Sequence, residues 1–329
     1  MSNSRGSKQP IFVAAWIGMA ILISQPGCQV FQRFQKPVPK APVAFEATPT
    51  LETLIAQLNR QSAAVKQVNT EVTVSMDGIP GRLRGTLMVE RPKKLRLKAG
   101  LLGVAQMGVD VGSNDELFWI WSRANIPGQP PALYYANHQR YESSELRNNL
   151  PLEPTWLIDA LGFVEFSPTD RHEGPFPRSD GRIEIITYHQ SAGKSNIRKS
   201  VIDPKYGWID QQSMYDRNGR LLAYVNSIEH QYYPDSNISL PQKIDIHVRQ
   251  PDGQELKLSV DAENYSINSI NGDPSRLWTM PNPQDVMKVD LTQVSNPQFP
   301  TNSNSAITPS AGQVRPYDRF QTRIAERND

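Results

Sequence analysis

From residue 69 to about residue 268 the sequence changes side every second residue, and this most narrows what the chain can fold into. Leu83, Leu87 and Val89 share one parity. Leu95 and Leu97 alternate with Lys94, Arg96 and Lys98, and Ile244, Ile246 and Val248 alternate with Asp245 and His247. Leu256, Leu258 and Val260 repeat the pattern. A period of two puts one face of each strand in a core and leaves the other wet, as in an antiparallel sheet covered on one side. Asn218-Gly219 and Asp252-Gly253 lie between such runs and supply the left-handed backbone that two-residue hairpins require. Counting the runs predicts about ten or eleven strands, which is more than a twisted open sheet holds without curling. The expected fold is therefore mainly β with covering helices, a curled antiparallel sheet forming an incomplete barrel.

Two helical patterns interrupt the alternation. Thr48 and Pro49 supply a cap and first-turn signal, after which Leu51, Leu54, Ile55, Leu58, Val65 and Val68 recur at helical spacing, predicting an amphipathic helix over residues 51–67. Between Pro154 and Phe163, Trp156, Leu157, Ala160 and Leu161 fall on one helical face. Residues 164–181 carry Pro168, Pro175, Pro177, Gly174 and Gly181 and read as a loop.

The ends of the chain differ from this middle. Arg5 and Lys8 precede an uncharged run from Ile11 to Ser24, followed by Gln25-Pro26-Gly27-Cys28. Fourteen residues at about 1.5 Å each span about 21 Å, short of a bilayer core of about 30 Å. A basic start, a short apolar run and a small residue before a break form the pattern of a secretory signal peptide, assigned here to residues 1–27. Cys28, the single cysteine of 329 residues, stands at its end. This position resembles the lipobox of bacterial lipoproteins, whose cysteine is diacylated (commonly with palmitate) and becomes the new N-terminus. A plain signal peptide or an uncleaved anchor with an incidental cysteine is the alternative. Residues 28–50 hold Pro37, Pro39, Pro42 and Pro49 with few large apolar side chains, and read as a tether. The globular domain then runs over residues 51–291, and residues 292–329, rich in Asn, Ser, Thr, Gln and Pro, read as a disordered tail.

Composition excludes several functions. A formal net charge of +2, from 35 Lys and Arg against 33 Asp and Glu, does not suit a nucleic-acid binder. One cysteine permits neither an internal disulfide nor a cysteine-based zinc site. There is no Gly-x-Ser-x-Gly elbow, no His-Glu-x-x-His, no phosphate-binding glycine loop and no EF-hand spacing, and the five histidines are dispersed. Neither an enzyme nor a cofactor is expected.

One stretch is more specific. Residues 85–92 read GTLMVERP, Leu95-Arg96-Leu97 follow, then Gly108 to Ser113 (GVDVGS), and then Leu117 to Trp121 (LFWIW). Together with the secretion signal and the candidate lipidation site, this resembles the outer-membrane lipoprotein-sorting superfamily, the periplasmic carrier LolA and its lipid-anchored receptor LolB. The motifs cover roughly residues 71–121, and the order of helix then strands extends the resemblance to about residue 290. It implies a half-barrel with a helical lid over an apolar cavity for acyl chains. It implies that Arg91 clamps the lid by bonding its backbone, a task that suits a forked donor. It also implies a possible periplasmic carrier as partner and a lipid anchor, by the absence of Asp after Cys28, in the inner leaflet of the outer membrane.

Within that frame, Leu87, Val89, Leu101, Leu102, Trp119, Trp121 and Trp156 are the candidates to line the cavity. Residues 82–98 hold seven basic side chains against Glu90, and Lys93, Lys94, Arg96 and Lys98 are candidates to face anionic lipid head groups. A solvated outer strand face explains the same charges without a membrane. The expected function is acyl-chain binding in lipoprotein or lipid sorting. The alternative is a structural or partner-binding envelope lipoprotein with the same fold and a filled core.

Overall fold

The computed structural model describes residues 39–77, 81–101, 104–122, 132–144, 154–191, 194–249, 253–270, 272–284 and 286–293. Cys28, Leu102, the apolar N-terminal run and residues 294–329 lie outside them.

Helix α1 (Leu51–Ala64) leads into β1 (Gln67–Met76), β2 (Leu83–Glu90), β3 (Lys94–Leu101), β4 (Val104–Ser113), β5 (Leu117–Ser122) and β6 (Ala132–Asn137). Two short helices follow, α2 (His138–Ser143) and α3 (Pro154–Ala160). Then come β7 (Arg171–Pro177), β8 (Ile183–Ser191), β9 (Lys194–Ile202), β10 (Ile209–Tyr215), β11 (Leu221–Tyr233), β12 (Ile238–Arg249) and β13 (Glu255–Ala262). β14 (Ser266–Ile267), helix α4 (Pro274–Leu277) and β15 (Met287–Asp290) complete the described chain.

All fifteen strands belong to one sheet in the order β15-β6-β5-β4-β3-β2-β1-β13-β12-β11-β10-β9-β8-β7, with β14 paired to β1. The sheet is curled and unclosed, as the alternation predicts. The β15–β6 pair is parallel, and the other pairs are antiparallel. Breaks in register at Gly100/Leu101, Ile209/Gln211, Met214/Tyr215 and Glu173/Phe176 add the local twist that bends so wide a sheet.

Three expectations need correction. The described residues form fifteen strands, not ten or eleven, and one of the extra strands is β7, in the stretch read as a loop. Prolines remove ladder donors, so they are tolerated at an edge, and β7 is the last strand of the sheet. Helix α1 starts at Leu51 as expected, but its cap is Thr50 instead of Thr48, with Oγ1 accepting from the Thr53 amide at 3.3 Å, and it ends at Ala64, short of residue 67. Finally, the tether is shorter than 28–50. The amide of Ala44 donates to the Lys205 carbonyl at 2.8 Å, and the Phe45 ring packs beside α1, so an aromatic side chain docks the segment.

The concave face carries the main core. Val68, Val72, Val74, Leu83, Leu87, Val89, Leu95, Leu97, Val109, Val225, Ile244, Ile246 and Val260 all point into it, together with Trp156, Ile158, Ala160, Leu161 and Phe163 from α3 and the turn after it. Helix α1 covers the other half, with Leu54 and Leu58 buried against Val164, Phe166, Ile183, Ile185, Ile202 and Ile209. Burying each leucine stabilises this contact by about 1.5–3 kcal/mol.

Candidate functional site

The site is built where α3 lies in the trough. Leu87 and Val89 on β2 pair with Leu97 and Leu95 on β3, and on the far wall Ile244 and Ile246 on β12 pair with Val260 and Leu258 on β13. Across this trough α3 and the turn after it present Leu157, Ala160 and Leu161, leaving a wholly apolar cavity of about 20 Å³ walled by Leu87, Leu95, Leu97, Ile244, Ile246, Leu258 and Val260. That is room for about one water-sized sphere. A helix rather than open space occupies the trough.

Two arginines hold this arrangement. Arg91, just after β2, places Nη1 2.5 Å from the carbonyl of Ser62 and 3.5 Å from that of Val65, at the C-terminal end of α1. Its Nη2 lies 3.6 Å from the carboxylate of Glu165, five residues beyond α3. One guanidinium thus joins the end of α1 to the segment that leaves α3. Arg198 on β9 is the second. It donates to the Asp159 carboxylate of α3 at 2.8 Å and to the Glu165 carbonyl at 3.3 Å. Gln212 Nε2 donates to the Asp159 carbonyl at 2.7 Å and Ser227 Oγ to the Ala160 carbonyl at 3.3 Å, so the last carbonyls of α3 are met by the sheet. These three residues were not among the expected ones. In sequence, Ile197, Lys199 and Val201 alternate with Arg198, Ser200 and Ile202, and nothing in that mixture says which set faces inward.

The expected cavity residues divide. Leu87, Val89 and Trp156 are buried on the concave face, and Leu101 is half-buried at its margin. Trp119 and Trp121 are not in the cavity. Strand register puts Trp119 opposite Gly112 and Trp121 opposite Asp110, the parity of Arg96, while Val111 and Ile120 take the concave side. Trp119 is fully buried on the convex face, where its Nε1 donates to Asp110 Oδ1 at 3.1 Å.

That network also corrects one of the expected membrane-facing cations. Arg96 is largely covered, with its side chain 11% exposed: its guanidinium lies 2.7 Å from Asp110 and 5.2 Å from the Trp119 ring centre, and it donates to the carbonyls of Leu277 and Thr279. The chain after α4 lies over this arginine and takes it away from any membrane. Lys94 is paired with Glu90 at 2.8 Å, and these hydrogen-bonded charges raise its pKa. Lys93 is half-buried, and Lys98 is exposed.

No family model and no curated protein matches this sequence. Solved structures do match. In fold, the chain is similar to outer-membrane lipoprotein-sorting structures. An outer-membrane lipoprotein-sorting domain from Vibrio parahaemolyticus is 10% identical with a TM-score of 0.40, covering 68% of this chain and 94% of that one. A LolA superfamily protein from Nitrosomonas europaea is 10% identical with a TM-score of 0.40, covering 69% and 97%. A DUF1329 family protein from Desulfovibrio piger is 12% identical with a TM-score of 0.43, covering 68% and 96%. Among the described residues no helix is long and apolar enough to cross a membrane, and no three His, Cys, Asp or Glu are placed to hold a metal.

Proposed function

We propose that the protein is a lipid-anchored component of the cell envelope that takes acyl chains into the trough beneath α3, in lipoprotein or lipid sorting. The observation that carries this reading is a trough walled only by Leu, Ile and Val side chains and filled by one short helix, α3. Ligand entry requires α3 to leave, after which each buried CH₂ of an acyl chain replaces lost helix contacts with about 0.8 kcal/mol. Arg91 sets the cost of leaving, because it joins α1 to the segment after α3. The chemistry is non-covalent, with no enzymatic step and no cofactor. Anchoring through Cys28 keeps the domain at the membrane from which it loads, and a periplasmic carrier is the partner that such a receptor needs.

The filled-core alternative draws on the same 20 Å³ figure. Titration with cis-parinaric acid, whose emission rises in apolar surroundings, separates the two. Saturable binding of about one chain per protein supports the acyl-chain reading. A structural module gives no saturable signal. For the anchor, Cys28→Ser abolishes lipid labelling and moves the domain to the soluble fraction; unchanged membrane attachment contradicts it.

A further inference from the structure

The concave wall is apolar only in part. Ile244, which lines the cavity on β12, is the direct partner of Ser227 on β11. On the next strands Gln212 pairs with Val225 and with Ser200, and Arg198 lies two residues along β9 on the same face. At about 4.8 Å per strand, the wall passes from the cavity to this polar group over about 14 Å. Arg198, Ser200 and Gln212 are each at most 4% exposed. Arg198 Nε, Ser200 Oγ and Gln212 Oε1 are buried without a hydrogen-bond partner among the described residues. Such atoms are costly to leave unmet in a protein interior.

Among the described residues, the carboxylate that pairs with the Arg198 guanidinium belongs to Asp159, on the helix that must leave when the trough is loaded. Removing it strands a buried cation, which is far more costly than losing a surface pair. His189 and Asp170 face one another nearby at 2.7 Å, and the Arg198 charge adds to burial in holding His189 neutral. The open trough therefore has an apolar floor ending in an unpaired guanidinium with one further unmet donor beside it.

We propose that Arg198, with Ser200 and Gln212, receives the anionic head of a single-chain amphiphile, which replaces the Asp159 carboxylate as α3 leaves. The inference rests on the acyl-chain reading and names the class of its ligand. Ser200 supplies a hydroxyl and Arg198 its fork, both able to donate to a carboxylate or a phosphate. Loading and unlatching become one exchange of anions on the same guanidinium, so an anionic amphiphile opens the trough at less cost than a neutral one.

The test is calorimetric titration of the full chain with oleate, 1-oleoyl-lysophosphatidylglycerol and monoolein. An anionic ligand is expected to bind roughly tenfold or more tightly than monoolein, the gain of a charge-assisted bond. Preference for oleate alone assigns the site to a carboxylate, and preference for the lysophospholipid alone assigns it to a phosphate; both support the proposal. Arg198→Gln reduces the ratio of anionic to neutral affinity to about one, and Arg198→Lys keeps part of it. Should Arg198→Gln fail to fold, the double variant Arg198→Met, Asp159→Leu removes both charges together and is read in the same way. Equal binding of anionic and neutral ligands by the wild type, or a preference that survives Arg198→Gln, overturns the head-group site and leaves acyl binding intact. Binding of none of the three overturns both.

Discussion

The guanidinium of Arg91 lies 2.5 Å from the carbonyl oxygen of Ser62, in the last turn of α1, across 29 residues of sequence. That carbonyl also accepts from the Val65 amide at 3.2 Å, so this arginine is its second donor, while the other guanidinium nitrogen faces Glu165 beyond α3. A side chain on the rim of the sheet thereby couples the two covering elements.

Replacing Arg91 by leucine removes that donor without removing much volume. The expected loss is about 1.5–3 kcal/mol in denaturant unfolding, that of a charged hydrogen bond, because the Ser62 carbonyl keeps the Val65 amide as a donor. Acyl-probe uptake, followed by stopped flow, is expected to quicken. Unaltered uptake and release rates contradict the clamp.

Asn59 forms a second tie that involves no charge. Its Nδ2 donates to the Phe166 carbonyl and its Oδ1 accepts from the Phe166 amide, both at 2.9 Å, as a neighbouring strand would do. Asn59→Ala leaves both groups of Phe166 unmet and is expected to cost about 2 kcal/mol, whereas Asn59→Asp keeps only the acceptor. The midpoint of urea unfolding reads the difference.

How much of this was legible depends on whether parity could name a face. Along β2, β3, β12 and β13 the apolar parity is unmixed, so Leu87, Val89, Leu95, Leu97, Ile244 and Ile246 could be placed from sequence, and α3 followed from Trp156, Leu157, Ala160 and Leu161. In β5 both parities are apolar, Phe118 and Ile120 against Trp119 and Trp121, and the Trp pair turns outward because Arg96 and Asp110 lie on that side. Along β8 and β9 apolar side chains occupy both faces, Ile185 and Ile202 inside and Ile186 and Ile197 outside. Arg198 was therefore unreadable until strand pairing and Asp159 gave it a direction.

Gly112 tests the convex network. A Cβ there would collide with the Trp119 ring, which lies against the backbone of β4. Gly112→Ala is expected to destabilise by about 1–3 kcal/mol, as overpacking does, and to shift the Trp emission as Trp119 leaves Asp110. Acyl binding stays unchanged, because this network is on the face opposite the trough. A loss of acyl binding contradicts that placement.

Acid sensitivity has a named source. Trp208 is stacked between Tyr206 at 4.5 Å and His230 at 4.7 Å, and burial lowers the His230 pKa from 6.5 to about 4 against a smaller opposing pull from Asp203. A base with a depressed folded pKa contributes stability that is present above pH 6.5 and is lost as pH falls toward 4. His189 acts in the same direction, also falling to about 4. Asp210 opposes them: burial raises its pKa from 3.8 to about 6, so it gains stability as pH falls through 6. His230→Gln is expected to remove up to about 3 kcal/mol of the loss between pH 6.5 and 4, measured as unfolding free energy against pH. An unchanged pH slope contradicts the assignment.

Native mass spectrometry of the protein drawn gently from its own membranes asks most directly whether the trough is a ligand site. The account predicts about one acyl-bearing molecule per chain in the wild type, with the preference for anionic lipid lost in Arg198→Gln. A uniform, lipid-free mass in the wild type, with α3 still protected from hydrogen exchange in the presence of oleate, contradicts it.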